Sequence, residues 1–287
     1  MEVQYEIRRE RCFFEVLLSM QDKGGERYYL PPGLGDSTLV YSQAVAQLSR
    51  RLLHLPGWRG NPERTYKTAA VGKTFPGLFQ DYLATLIKQW QDEKSSKLAQ
   101  LNKWLKLLGL TWKVEARPIK ETQIELRVAR LPKFRSGSAR DLVSIADVGF
   151  GVSQALPITA GLLAAEKGDV VYIEEPEIHL HPRAQERLAD ILVDAVNMGV
   201  RVVAETHSSI LLKRLQTQVA LGGLAPEHLK LHWCSRDVAT GATRVELARV
   251  EKDGSFGKWP EDFEDVELEV ESAYLDAVLR RKTVNGN

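Results

Sequence analysis

The 287-residue sequence carries 39 Lys and Arg against 38 Asp and Glu, with 44% hydrophobic residues. Near neutrality excludes a chain organised around wholesale attraction to nucleic acid or to anionic membranes, and this hydrophobic share supports a packed core rather than disorder. Two cysteines, Cys12 and Cys234, make no disulfide framework in a chain this long. No apolar run reaches the roughly 20 residues of a bilayer span, and the charged start MEVQYEIRRE lacks a secretory apolar stretch, so the expectation is a cytoplasmic protein.

Residues 3–20 are rich in Val, Tyr, Ile and Phe in loose alternation, which predicts one or two strands. The loop PPGLGDS follows at 31–37, and apolar residues at helical spacing predict a helix over 38–53. HLPGWRGNPERTY, at 54–66, holds two prolines and two glycines and predicts loop. Residues 77–108 contain Leu78, Tyr82, Leu86 and Trp90, then Leu98, Leu101, Leu105 and Leu108, at helical spacing. They predict two helices joined around Lys94–Lys97.

TWKVEAR and ETQIELRVAR, within 111–130, predict two strands. From 141 the chain alternates between periods. A helix over 153–166 has Pro157 in its first turn, and a strand VVYIEE follows at 170–175. A helix over 182–197, a buried strand at 200–206 and a helix from Ser208 complete the series. Strands separated by helices of this length imply parallel pairing. After Pro226 short strands return, with Asp253-Gly254 as a hairpin turn, and a final acidic-faced helix covers 264–281.

Three segments carry chemistry. Val170 to Ile173 suits a strand buried on both faces, and it ends in Glu174-Glu175-Pro176. Ligands of parallel α/β sheets bind at that end of the strands, and adjacent carboxylates repel unless a cation sits beside them. Glu174 could hold Mg²⁺, and Glu175 could orient and deprotonate an attacking water. Alone, the pattern is better described as a strand ending in a solvated acidic turn. The strand Val200–Ala204 ends in Glu205-Thr206-His207-Ser208-Ser209, which brings His207 to the same edge, with Ser208 or Ser209 as a helix cap. Upstream, Gly149 and Gly151 precede Ser153 and Gln154 at a helix start, where free N–H groups and the dipole suit a phosphate.

The order of these segments resembles the C-terminal lobe of ABC-type ATPases. GFGVSQALPI, YIEEPEIHLHPRAQ and ETHSSILL resemble the OLD/RecF-like branch of the AAA-family ATPases, relatives of SMC heads. The resemblance is specific over 141–213, extends over 229–265, and is vague before 140. It implies an α/β fold, a partly parallel sheet flanked by helices, with a helical insertion and a small β extension. The domains it suggests are 1–76, N-terminal strands and loops; 77–110, a helical insertion; 111–225, the ATPase lobe; and 226–287, a β extension with a helix. It implies ATP and Mg²⁺ as cofactors, with Glu174 as metal residue, Glu175 as catalytic base and His207 as switch histidine. Gly149, Gly151, Ser153 and Gln154 would form the signature loop, serving a nucleotide on a second head. His181 to Gln185 would include the D-loop. DNA is the implied partner class, in repair, maintenance or defence, and no membrane is implied.

One departure stands out. The family's P-loop, G-x-x-x-x-G-K-[ST], is absent. Gly72-Lys73-Thr74 has Lys67 five residues before Gly72 and Pro76 just after Thr74, so it reads as a surface loop. A fragment, a chain paired with a P-loop-bearing partner, and a non-hydrolysing relative are the expectations left open. Other readings are weaker. His179 and His181 form an H-x-H pair that could hold a metal, yet a barrel needs more strand–helix units than are present. Lys103, Lys106, Lys113, Arg117 and Lys120, with Trp104 and Trp112 among them, could track phosphates or simply line a solvated face. The acidic run at 261–271 reads as a solvated helix face.

Overall fold

The computed structural model describes residues 2–10, 13–21, 27–29, 51–72, 74–131, 141–257 and 265–284. The chain divides into two compact units, Met1–Leu52 and Leu53–Asn287. In the first, β1 (Glu2–Glu10), β2 (Phe13–Gln21) and β3 (Arg27–Tyr29) form an antiparallel sheet in the order β1-β2-β3. Glu10 pairs with Phe13 and Glu2 with Gln21, so the one or two strands expected over 3–20 are two, paired antiparallel. The PPGLGDS loop and residues 38–50 lie outside the described residues.

The second unit begins within β4 (Leu52–Leu55). The helix expected to end near Leu53 therefore does not include Leu52 and Leu53. Their apolar pattern is shared by a short strand, with Leu53 and Leu55 buried and Leu52 and His54 outward, and over four residues the two periods are indistinguishable. After β5 (Tyr66–Lys67) come α1 (Gln80–Asp92) and α2 (Ser96–Leu107). The first helix closes at its C-cap Glu93, and Ser95 caps the second by accepting from the Lys97 N–H. The helices pack into the core through Leu83, Ile87, Trp90, Leu101, Trp104 and Leu105. Trp104, grouped with the basic stretch by sequence, is buried, and its indole donates to Asp194 Oδ2 at 3.1 Å.

β6 (Val114–Lys120) and β7 (Gln123–Ala129) are the two strands expected, and they pair as an antiparallel hairpin. With β5 and β8 (Leu142–Ser144) they make a four-stranded antiparallel sheet. α3 then runs from Phe150 to Ala164 (Phe150–Ala164), three residues earlier than expected. Pro157 is consequently in its interior rather than its first turn. An interior proline costs about 3 kcal/mol, but every residue from Val152 to Leu163 is buried. Each large side chain among them returns roughly 1.5–3 kcal/mol, so burial wins.

β9 (Val170–Glu174) and β10 (Arg201–Glu205) are parallel and in register, Val170 with Arg201 and Glu174 with Glu205. The sheet order is β10-β9-β4. α4 (Pro182–Asn197) crosses between the parallel strands, capped by His181, with Pro182 at its start. α5 (Ser209–Ala220) follows β10 and is capped by Ser208. Asp190 of α4 ties the two helices by accepting from Arg214 Nε at 2.8 Å and from Gln218 Nε2. The expected burial of β10 is corrected: Val203 is 52% exposed, because β10 is the sheet's edge strand among the described residues. A strand buried on both faces needs neighbours on both sides.

β11 (Leu231–Arg236) and β12 (Thr243–Ala248) form the last hairpin, turning at 237–242. Asp253-Gly254 does make a turn, closed by Glu251 N–H to Ser255 O at 2.8 Å, but without flanking strands among the described residues. Gly254 packs instead on the backbone of Gln216, and Phe256 is buried beside it. The helix α6 (Asp265–Val284) ends the described chain.

Candidate functional site

The parallel strands deliver Glu174 and Glu205 to one edge of the sheet, and the chain turns sharply after each. Glu175 adopts φ 41°, a conformation that costs an ordinary side chain energy. Three bonds hold it. Its N–H donates to Glu205 O at 2.8 Å. Arg59 Nη2 donates to Glu174 O at 2.6 Å and to Glu175 O at 3.2 Å. Arg59 is only 6% exposed, and its Nε and Nη1 have no partner among the described residues. Burial lowers its pKa from 12.5 to about 10, against the raising effect of Glu177, Glu174 and Glu175.

The two carboxylates diverge. Glu174 turns toward the segment after β4, where Oε2 accepts from the Gly57 N–H at 2.9 Å and Oε1 meets His54 Nε2 at 2.8 Å. The Gly57 N–H, then His54, hold the Glu174 carboxyl below the usual carboxylate range. The His54 ring stacks on Tyr172 at 5.0 Å, and Tyr172 donates to Glu205 Oε2 at 3.1 Å. Burial, then Glu205, push the Tyr172 phenol up. Glu175 points the other way, with Oε1 4.0 Å from His207 Nε2. Glu177, buried, accepts from the His207 N–H at 2.8 Å and fixes that turn.

A cleft of about 430 Å³ opens at this edge. Glu174, Glu175 and Glu205 supply its acid, and Trp58, Phe150 and His179 its aromatic wall. Of the four residues expected in a signature loop, Gln154 lines the cleft and donates to Gly60 O at 3.0 Å. Gly149, Gly151 and Ser153 do not line it. Gly149 is the N-cap of α3 and Gly151 rests on Leu110. Ser153, inside the helix because α3 starts early, spends its hydroxyl on Phe150 O at 2.9 Å. So the edge gathers Glu174, Glu175, Gln154 and, beside Glu175, His207, while the glycines and Ser153 stay apart. His179 has φ 63° and lies 5.7 Å from the Phe150 ring.

Sequence reasoning missed His54, Gly57, Arg59 and Glu177. The signal for Arg59 was slight: an arginine enclosed by Gly57, Trp58 and Gly60 in a segment read as plain loop. Among the described residues no three His, Cys, Asp or Glu side chains converge into a metal cage. Mg²⁺ at a nucleotide needs no such cage, since it takes one or two carboxylates with phosphates and water. Glu174 and Glu205 are oxygen donors of the kind the ion takes, and to hold it Glu174 would exchange its contacts with His54 and the Gly57 N–H.

A parallel strand pair flanked by helices, with acid at the strand ends, makes this a mixed α/β chain. The family model described as "AAA domain, putative AbiEii toxin, Type IV TA system" matches residues 14–213. The chain belongs to that family, a nucleotide-binding ATPase family. No curated protein matches the sequence. Among solved structures, an SMC head bound to the C-terminal winged-helix domain of ScpA is 12% identical, with 83% of this chain and 68% of that one covered and a TM-score of 0.45. The SMC head domain of Thermotoga maritima is 10% identical, covering 85% and 72%, with a TM-score of 0.39. The Smc head of Pyrococcus furiosus with an extended coiled coil, bound to the C-terminal domain of ScpA, is 12% identical, covering 82% and 72%, with a TM-score of 0.37. Among the described residues no helix is long and apolar enough to cross a membrane.

Proposed function

We propose that this chain contributes a Mg²⁺-dependent ATP-hydrolysing site to an ABC-type head of the OLD/RecF-like branch. The observation that carries the reading is the 4.0 Å approach of His207 to Glu175 at the ends of two in-register parallel strands. Glu175 takes the proton of an attacking water at its carboxylate, and His207 orients that water from the neighbouring turn. Glu174, with Glu205 beside it, would hold the metal, which when bound neutralises phosphate charge. Gln154 presents its amide at the cleft wall, from the segment that resembles the signature. Head pairing supplies the second half of the site, and the motif resemblance points to work on DNA in repair, maintenance or defence.

The test is ATP turnover by the chain mixed with a Walker-A-bearing member of its family. Glu175→Gln lowers turnover by about 100-fold or more while nucleotide binding, read by a fluorescent ATP analogue, persists. Equal turnover in that variant removes Glu175 from the chemistry.

A second reading has its own support. The 287 residues contain no G-x-x-x-x-G-K-[ST] segment, and both Glu174 oxygens are already engaged by His54 and Gly57. A regulatory or dimerisation module that binds without hydrolysing is the alternative. It predicts no turnover in any mixture, with the partner's own rate altered by the intact chain.

A further inference from the structure

Two buried charges lie behind the acidic edge, and each holds a different turn. Arg59 donates through Nη2 to the carbonyls of Glu174 and Glu175. Glu177 accepts the His207 N–H on Oε1. The two grips meet in one stretch of chain. Glu175 O accepts from Arg59 and also from the Ile178 N–H at 3.2 Å, so Glu177 projects from within the turn that Arg59 anchors. A shift of that anchor moves the Glu177 side chain, and with it the turn that carries His207.

Charge joins the pair as well. Arg59 Nε and Nη1 and Glu177 Oε2 are buried and have no hydrogen-bond partner among the described residues. Two donors stand on one side and an acceptor on the other. Of the acids that act on Arg59, Glu177 acts most strongly. The attraction crosses a gap between buried groups, where little water screens it, and a buried charge that loses its counter-charge is strongly destabilising. We propose that Arg59 and Glu177 work as one positioning unit that sets His207 against Glu175. Neither touches the reacting atoms. Arg59 acts through the two carbonyls and Glu177 through the His207 N–H, and between them they fix the 4.0 Å approach of His207 Nε2 to Glu175 Oε1. The consequence for turnover rests on the reading of Glu175 and His207 given above; the coupling of the two turns does not.

Hydrogen exchange of the full chain, without nucleotide, tests the coupling. Arg59 bonds to the Glu174 and Glu175 carbonyls and not to His207. Arg59→Met should nevertheless speed exchange of the His207 amide about tenfold or more, while the amides of Leu188 to Leu192 in α4 stay protected. Glu177→Gln keeps an oxygen for the His207 N–H and removes only the charge. Urea melts of Arg59→Met, Glu177→Gln and the double variant make a cycle, in which the double variant's unfolding constant should change about tenfold less than the product of the single changes. Should Arg59→Met alone not fold, recovery of folding in the double variant is the same result, and its failure to recover is the opposite one. In the turnover assay with a Walker-A-bearing family member, Glu177→Gln and Arg59→Lys should lower kcat about tenfold and leave KM for ATP within about twofold.

The outcomes separate this proposal from the hydrolytic reading. If Glu175→Gln leaves turnover unchanged, that reading fails and the coupling stands on exchange and the cycle. A His207 amide unmoved in Arg59→Met, or additive losses in the cycle, would overturn the coupling whatever Glu175→Gln does. An unchanged kcat in Glu177→Gln and Arg59→Lys, beside an impaired Glu175→Gln, would overturn the positioning role.

Discussion

Arg59 Nη2 donates to the main-chain carbonyl of Glu174 at 2.6 Å. The same nitrogen reaches the Glu175 carbonyl at 3.2 Å, so one buried guanidinium clamps both residues of the acidic pair by their backbone. Glu175 sits at φ 41°, and a strained backbone persists only where its surroundings over-determine it. Arg59→Met leaves both carbonyls without that donor and should lower stability by about 1–3 kcal/mol, read as a reduced urea midpoint. Arg59→Lys should recover only part, since an ammonium lacks the planar fork. A midpoint unchanged in Arg59→Met would show that Arg59 does not hold the turn.

The Glu174 contact makes a prediction about pH. Its carboxyl is held below the ordinary 4.5 by the Gly57 N–H first and His54 second. The folded chain therefore takes up this proton less readily than the unfolded chain. The contact's contribution is present above 4.5 and is lost as pH falls through the folded value. Glu174→Gln removes the titration. A plot of Tm against pH should fall less steeply below the usual carboxylate range in Glu174→Gln than in the wild type. Parallel plots would mean that the contact does not form in solution.

Much of this edge was legible in sequence, and the boundary runs along a physical line. Glu174, Glu175 and His207 could be placed because each follows a β-rich run bounded by helical periodicity, and such runs fix where a strand ends. α4 matched at both ends because Pro182 and the spacing of Leu188, Ile191 and Leu192 leave little choice. The clamp was illegible. Arg59 and Gly57 precede Glu174 by more than a hundred residues; Arg59 donates to main-chain carbonyls and Gly57 donates its own N–H, pairings that no side-chain pattern records. The start of α3 was misplaced because Gly149, with no side chain to cap, ends the preceding chain as well as Ser153 would. The divergence of Glu174 from Glu175 follows from Glu175 leaving the strand at positive φ, a property of the turn rather than of either residue type.

Glu177 links the first acidic turn to the second. Its Oε1 accepts the His207 N–H at 2.8 Å, and the side chain is 9% exposed. Glu177→Ala removes the acceptor and should open the turn by about 1–3 kcal/mol. Hydrogen exchange reads this directly: the His207 amide should exchange faster while the amides of Leu188 to Leu192, inside α4, keep their protection. Unchanged exchange at His207 would mean another group supplies its acceptor.

Gly254 gives the sharpest test of packing outside the cleft. It has φ 82°, and a Cβ built there lies 2.3 Å from the Gln216 carbonyl oxygen on α5. Backbone cannot swing aside as a flexible side chain can. Gly254→Ala therefore combines a left-handed backbone, about 1–2 kcal/mol, with overpacking of about 1–3 kcal/mol. Gly60 isolates the first cost, having φ 68° and nothing within 4 Å of its built Cβ. Gly60→Ala should lose only the backbone share. Urea melts of the two variants should differ by the clash alone, with Gly254→Ala the less stable. Equal losses would mean that the segment carrying buried Phe256 lifts away from α5 rather than bearing the contact.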